Sequence, residues 1–186
     1  MNRFISLVAS LFIAFILVLP ILLISVVIFL KDKEYPLYFS SRVGKNNRIF
    51  LMPKFRTMSS NAPQIATHLL SSPDDYLLST GPFLRKYSLD ELPQIVSIIK
   101  GDMAFVGPRP ALFNQDDLIS LRNRKGISQL KPGLTGWAQV NGRDELSILE
   151  KVEYEEEYFR RASLGFDIYI IWLTIIKVIK RDGISH

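Results

Sequence analysis

At 186 residues and 21.3 kDa the chain has length for one domain of ordinary size with one appendage, which excludes two catalytic domains in tandem. Cysteine is absent and histidine occurs only at His68 and His186. Disulfides, thiolate nucleophiles and Cys-ligated zinc are therefore excluded, a multi-histidine site nearly so, and acid, base or nucleophile chemistry falls mainly on carboxylates, hydroxyls and lysines. The net charge is +5, and its whole excess lies between residues 31 and 60, where Lys31, Lys33, Arg42, Lys45, Arg48, Lys54 and Arg56 face only Asp32 and Glu34. Basic residues directly behind an apolar segment belong on the cytoplasmic side of a membrane, against anionic head groups. Nucleic acid is the poorer partner, because no basic face with stacking aromatics stands outside this stretch.

Phe4 to Leu30 contains no charged residue, and as a helix it reaches about 40 Å, more than the roughly 30 Å hydrocarbon core. It is too long for the apolar region of a cleaved signal peptide. Pro20 inside it removes one helical hydrogen bond, so a kink or break is expected there, giving either a tilted spanning helix or a broken helix that dips in and returns. Residues 1–30 are thus read as a membrane-inserted segment and residues 31–186 as the domain it carries. Tyr35–Phe39 and Arg48–Met52 are β-like and flank the turn material Gly44–Asn47, which predicts a small hairpin. Residues 59–82 read as loop with one short helix near Gln64–Leu70. Leu92–Ile99 reads as a helix ended by Gly101. Pro108, Pro110, Pro132, Gly133, Gly136 and Gly142 mark a loop-rich middle suited to presenting side chains. Glu145–Arg161 is an acidic helix. Asp167–Ile179 carries a dense apolar stripe that suits either a core helix or one lying in the membrane interface.

Two adjacent carboxylates, Asp90 and Glu91, stand at the start of a helix in Ser88-Leu-Asp-Glu-Leu-Pro93. One reading is a capping box, with Ser88 as the cap and Glu91 reaching back to its N–H. The other is chemical: neighbouring acids on a helix point about 100° apart, so one can attack while the other holds a metal. Around them lie Lys54, Arg56, Arg85, Lys86, Arg109 between two prolines, and Arg143 after Asn141-Gly142. An anionic nucleophile, Mg²⁺ and several arginines are what phosphoryl transfer requires, since the work is positioning and charge neutralisation. Beside a membrane, that combination points to a nucleotide-linked donor and a lipid phosphate acceptor.

Lys54-Phe-Arg-Thr-Met58, Ser88-Leu-Asp-Glu-Leu-Pro-Gln94, Gly101-Asp-Met-Ala-Phe-Val-Gly-Pro-Arg-Pro110 and Lys131-Pro-Gly-Leu-Thr-Gly-Trp-Ala-Gln-Val-Asn-Gly-Arg143 resemble the bacterial sugar transferases of the monotopic phosphoglycosyl transferase superfamily, in their minimal single-domain form. The resemblance implies transfer of a sugar 1-phosphate from a UDP-sugar to undecaprenyl phosphate with release of UMP, on the cytoplasmic face of the bacterial inner membrane. It implies that Asp90 is the nucleophile of a ping-pong scheme and that Glu91 assists with Mg²⁺ and the polyprenol phosphate. Lys54, Arg56, Arg85, Arg109 and Arg143 are expected at phosphate and nucleotide, and Asp90 and Glu91 at the metal. It also implies a re-entrant helix-break-helix at the N-terminus, although Leu19-Pro20 stands where the family has Ser-Pro. The expected fold is α+β and mainly helical: a membrane-dipping helix, a small β element, short helices around a loop-built site, and a C-terminal interfacial helix, with loops 101–110 and 131–143 converging on Asp90. The rival class is a non-catalytic membrane-anchored scaffold in which Ser88 to Glu91 merely caps a helix.

Overall fold

The apolar N-terminal run forms a single helix, α1 (Arg3–Asp32), in a computed structural model that describes residues 3–63, 73–142 and 145–180. Ser6–Asp32 is long and apolar enough to cross a membrane. Of the kink or break expected at Pro20, a break does not occur: α1 stays helical through the proline, as one helix of 30 residues and about 45 Å along its axis. Proline removes one hydrogen bond of the many in a helix this long, and the stripe of half-buried Ala14, Leu17, Ile21 and Ile24 between buried Ser10 and Ile28 passes through it in register. That stripe repeats every 3.5 residues, and it seats α1 on the rest of the protein instead of leaving it a free span. The remaining faces, among them Phe12, Phe15, Leu19, Leu23 and Phe29, are exposed.

The hairpin forms as expected but is longer, with β1 (Leu37–Val43) antiparallel to β2 (Ile49–Phe55). A 3-10 turn at Lys45–Asn47 joins them, with Asn46 and Asn47 at positive φ, which asparagine tolerates better than most residues. Strand alternation puts Ser40 and Arg42 on the same face as Phe50, Met52 and Lys54. Phe50 and Met52 pack with Ile95, Ile98 and Met103, and Ile13 and Ala14 of α1 close over them. Phe55 packs with Ile28, Leu78 and Leu84.

Next come α2 (Gly81–Lys86), a 3-10 turn at Leu89–Gln94 and α3 (Ile95–Lys100), which ends on Gly101 at φ 89, the left-handed stop the sequence predicts. The loop-rich middle contains β3 (Ala104–Val106) and β5 (Gly133–Thr135), paired in parallel. Between them β4 (Ala111–Leu112) extends the hairpin sheet, and α4 (Asp116–Arg124) makes part of the crossover. Short α5 (Trp137–Val140), α6 (Ile148–Arg161) and α7 (Leu164–Lys180) complete the chain. A capping box does occur, at Ser147–Glu150, where it opens α6. Helix α7 packs as its core-helix reading expects, with Phe166 and Ile170 in a core with Val106 and Tyr158, while Ile168, Trp172 and Ile175 stay exposed. The fold is α+β and mainly helical, as expected. The short helix expected near 64–70 lies outside the described residues.

Candidate active site

The acid pair does not sit on an α-helix. Asp90 and Glu91 lie in the 3-10 turn, where successive side chains diverge by about 120°, and Ser88 before them is left-handed at φ 52 with no side-chain cap bond. The capping-box expectation at Ser88–Glu91 is therefore corrected. Glu91 reaches across to β2 and to the Pro108–Pro110 loop: Lys54 Nζ donates to its Oε1 at 2.9 Å and Arg109 Nη2 to the same oxygen at 3.3 Å. Cations thus compete for the carboxylate that a cap would need. Lys54 Nζ also stands 3.6 Å from Asp90 Oδ2, so one ammonium serves both acids.

Asp90, Glu91 and Lys54 side chains are only 14–15% exposed. Burial pushes the Asp90 carboxyl above its usual range; Lys54, Arg85 and Arg109 pull it back while Glu91 adds to the rise. Arg85 of α2 donates through Nε to Thr57 Oγ1 at 3.0 Å, and burial lowers its guanidinium against the pull of Asp90. The arrangement gives Asp90 a largely buried, basic surround, in which Lys54 stands at ion-pair distance and, among the described residues, no arginine does. That suits a carboxylate meant to react with a phosphate rather than to stay locked in an ion pair.

A small, open cavity lies beside Glu91, lined by Lys54, Arg109, Gln94, Pro110 and Arg42. A second one lies behind the same loop, against Pro108, Arg122 and Pro132, away from the acids. Arg42 and Gln94 escaped the sequence reading. Arg42 donates through Nε to Ser40 Oγ at 3.0 Å and through Nη1 to the Pro110 carbonyl at 3.1 Å, and among the described residues no carboxylate pairs with it. Burial, and Arg109 nearby, lower its guanidinium to about 10, so it remains charged at neutral pH. The signal was strand register: a cation opposite Phe50 and diagonal to Met52, on the face that carries Lys54.

Lys54, Arg85 and Arg109 are brought together with the acid pair, as expected. Arg56 is not: its Nε donates to the Tyr35 carbonyl at 2.9 Å, it lies 4.0 Å from Glu34, and it covers the Tyr38 ring. It directly follows β2, and its N–H donates to the Pro36 carbonyl at 2.8 Å. Arg143 lies outside the described residues. Loops 101–110 and 131–142 meet through β3 and β5 and present Arg109 to Glu91. Among the described residues no three His, Cys, Asp or Glu side chains cluster as a metal cage. Two neighbouring carboxylates still fit Mg²⁺, which is ordinarily held by one or two carboxylates, water and the substrate's phosphates.

Residues 1–181 match the pattern of a family described as bacterial sugar transferase. The chain is 38% identical over 153 residues to an uncharacterized sugar transferase, EpsL, of Bacillus subtilis, covering 81% of this chain and 74% of that one. It is 35% identical over 186 residues to a UDP-galactose-lipid carrier transferase of Erwinia amylovora, covering 90% of this chain and 38% of the relative. It is 36% identical over 148 residues to the UDP-glucose:undecaprenyl-phosphate glucose-1-phosphate transferase of Escherichia coli, covering 76% and 32%. The chain therefore spans only about a third to two fifths of the length of the last two.

Proposed function

Because the chain belongs to the bacterial sugar transferase family, we propose that it transfers a sugar 1-phosphate from a UDP-sugar to undecaprenyl phosphate, releasing UMP. The observation that carries this reading is the acid pair on one 3-10 turn, shared by Lys54 and flanked by Arg109 and Arg85. An Asp90 oxygen attacks the β-phosphorus of the donor, an oxygen–phosphorus bond forms, and the bond to the bridging oxygen breaks with its electron pair leaving on UMP. An oxygen of the polyprenol phosphate then attacks the same phosphorus and returns Asp90 as a carboxylate, so one nucleophile serves two phosphate substrates in turn. Lys54, Arg42 and Arg109 neutralise the charge that gathers on the phosphates. Asp90 and Glu91 are the residues that would hold Mg²⁺, which when bound neutralises diphosphate charge and favours departure of UMP.

The apolar α1 and the basic stretch behind it support membrane association with the domain on the cytoplasmic face. The scaffold alternative needed Ser88 to cap a helix, and Ser88 makes no side-chain cap bond. The test is intact-protein mass spectrometry of lipid-solubilised protein with Mg²⁺ and a panel of UDP-sugars, without polyprenol phosphate. A gain of one sugar phosphate, absent from Asp90→Asn, supports the scheme. Turnover retained in full by Asp90→Asn removes Asp90 from the chemistry.

A further inference from the structure

Pro108, Arg109 and Pro110 offer one backbone N–H among three residues, so this segment is held chiefly through its carbonyls. All three carbonyls are taken, each by a different element. Pro108 O accepts from Gly133 N of β5 at 2.9 Å, Arg109 O from Arg122 Nη2 of α4 at 2.9 Å, and Pro110 O from Arg42 Nη1 of β1 at 3.1 Å. Arg122 is itself fixed by Glu155 of α6: Nε donates to Oε2 at 2.7 Å and Nη2 to Oε1 at 2.5 Å, with both side chains buried. One guanidinium nitrogen thus serves a buried carboxylate and the carbonyl of the residue that reaches Glu91.

A buried ion pair is poor stabilisation, because desolvation offsets most of the attraction and well-packed apolar residues do as well or better. Arg122–Glu155 does something an apolar pair cannot, which is to present a rigid donor to Arg109 O. We infer that Arg122 and Glu155 are positioning residues for the transfer reaction, pinning the Arg109 backbone so that its guanidinium stays on the phosphate side of the acid pair. This rests on the reading of Arg109 as a phosphate-neutralising group. Neither residue touches the cavity beside Glu91; both act through Arg109.

The test replaces the pair by apolar side chains of similar length, Arg122→Met together with Glu155→Leu, in the full chain in lipid nanodiscs. The melting temperature is expected to hold or rise, since no unpaired charge is left behind. Amide exchange across 106–112 is expected to quicken by about ten-fold or more as the segment loses a pin. UMP release falls by about 10- to 100-fold, the scale of a 1 Å misplacement of a charged group. In an Arg109→Ala background the same two substitutions change turnover by less than about two-fold, because a residue that acts through Arg109 has nothing left to position. UDP affinity by calorimetry carries this cycle if Arg109→Ala turns over too slowly. Arg122→Lys, which keeps the charge but not the fork, shifts exchange and turnover in the same direction with the fold retained, and serves if the double variant does not fold. Unchanged exchange and turnover, or an equal loss in both backgrounds, overturns the inference. If the parent protein transfers nothing from any UDP-sugar, the proposed function fails, and exchange across 106–112 still decides whether the pin exists.

Discussion

Gly133→Ala is the sharpest test of how the site loops are held. A Cβ there would lie 2.1 Å from the Gly107 nitrogen and 2.3 Å from the Thr135 carbonyl oxygen, both main-chain atoms that cannot swing aside. Ordinary contacts are about 3.5 Å or longer, so β3 and β5 must part by roughly 1 Å or more. Parting them strains or breaks Gly107 N to Thr135 O and Gly133 N to Pro108 O, each 2.9 Å. Two hydrogen bonds at about 0.5–1.5 kcal/mol each, plus about 1–3 kcal/mol of overpacking, give a loss of about 2–6 kcal/mol. For a chain of this size each kcal/mol lowers the midpoint by about 2–4 °C, so a fall of about 5–20 °C is expected by circular dichroism in nanodiscs. Turnover falls with it, because Pro108 carries Arg109. Gly165→Ala is the control: nothing lies within 4 Å of its Cβ, and a helical alanine should gain up to about 1 kcal/mol. A Gly133→Ala protein that melts within about 2 °C of the parent at full turnover would refute the close approach of the two strands.

Asp90→Asn separates catalysis from stability. Burial raises the native carboxyl above its unfolded value, so the native state binds the proton more tightly, and stability declines as pH rises from the ordinary carboxylate pKa through the raised one. The amide removes that penalty: the variant's melting temperature relative to the parent should improve from pH 3 to pH 7, while turnover is lost, and a relative fall over that interval would contradict the sign. Ser88→Ala should change stability by less than about 0.5 kcal/mol in chemical denaturation, because Ser88 caps nothing, whereas a capping serine would cost about 1 kcal/mol. Arg42→Met should weaken UDP binding by about 10- to 150-fold in calorimetry, the scale of one charge-assisted hydrogen bond to phosphate, and unchanged affinity would place the phosphates elsewhere.

The two Ser-x-x-Glu sequences show where local reading succeeds and where it stops. Ser147-Ile-Leu-Glu150 becomes a capping box: Ser147 is extended, its oxygen accepts from Glu150 N–H, and Glu150 folds back to Ser147, all on the surface. Ser88-Leu-Asp-Glu91 carries the same signature, but Lys54, 37 residues away in sequence, claims the glutamate. The pattern records what a segment can do alone, and a buried cation from another strand overrides it. The hairpin, the Gly101 helix stop, the acidic helix and the apolar anchor were legible for the opposite reason, each depending on residues within one or two turns of itself. The parallel pairing of β3 with β5 was not, since each strand has three residues and the contact spans about thirty positions of chain. Arg42 was obscured by its company in a basic stretch, where a buried cation and a surface cation look alike until strand register separates them.

Register and burial also explain why the anchor and the active site are one mechanical unit. Ile21, Ile24 and Ile28 of α1 pack with Phe55, Leu78, Leu84, Leu89 and Leu92, the last two being turn residues on either side of the acid pair. At the end of the helix, Asp32 accepts from Ser79 N at 2.9 Å, Ser79 Oγ at 2.6 Å and Thr80 Oγ1 at 2.6 Å. Ser79 and Thr80 lead into α2, which carries Arg85 toward Asp90. A carboxylate at a helix C-terminus is opposed by the helix dipole, so its place there is sustained by those three donors. Helix α1 thus holds the 3-10 turn through its apolar stripe and α2 through Asp32. Loss of α1 would expose the Phe55–Leu84 core and release the α2 anchor together, which makes the apolar helix a structural part of the candidate site.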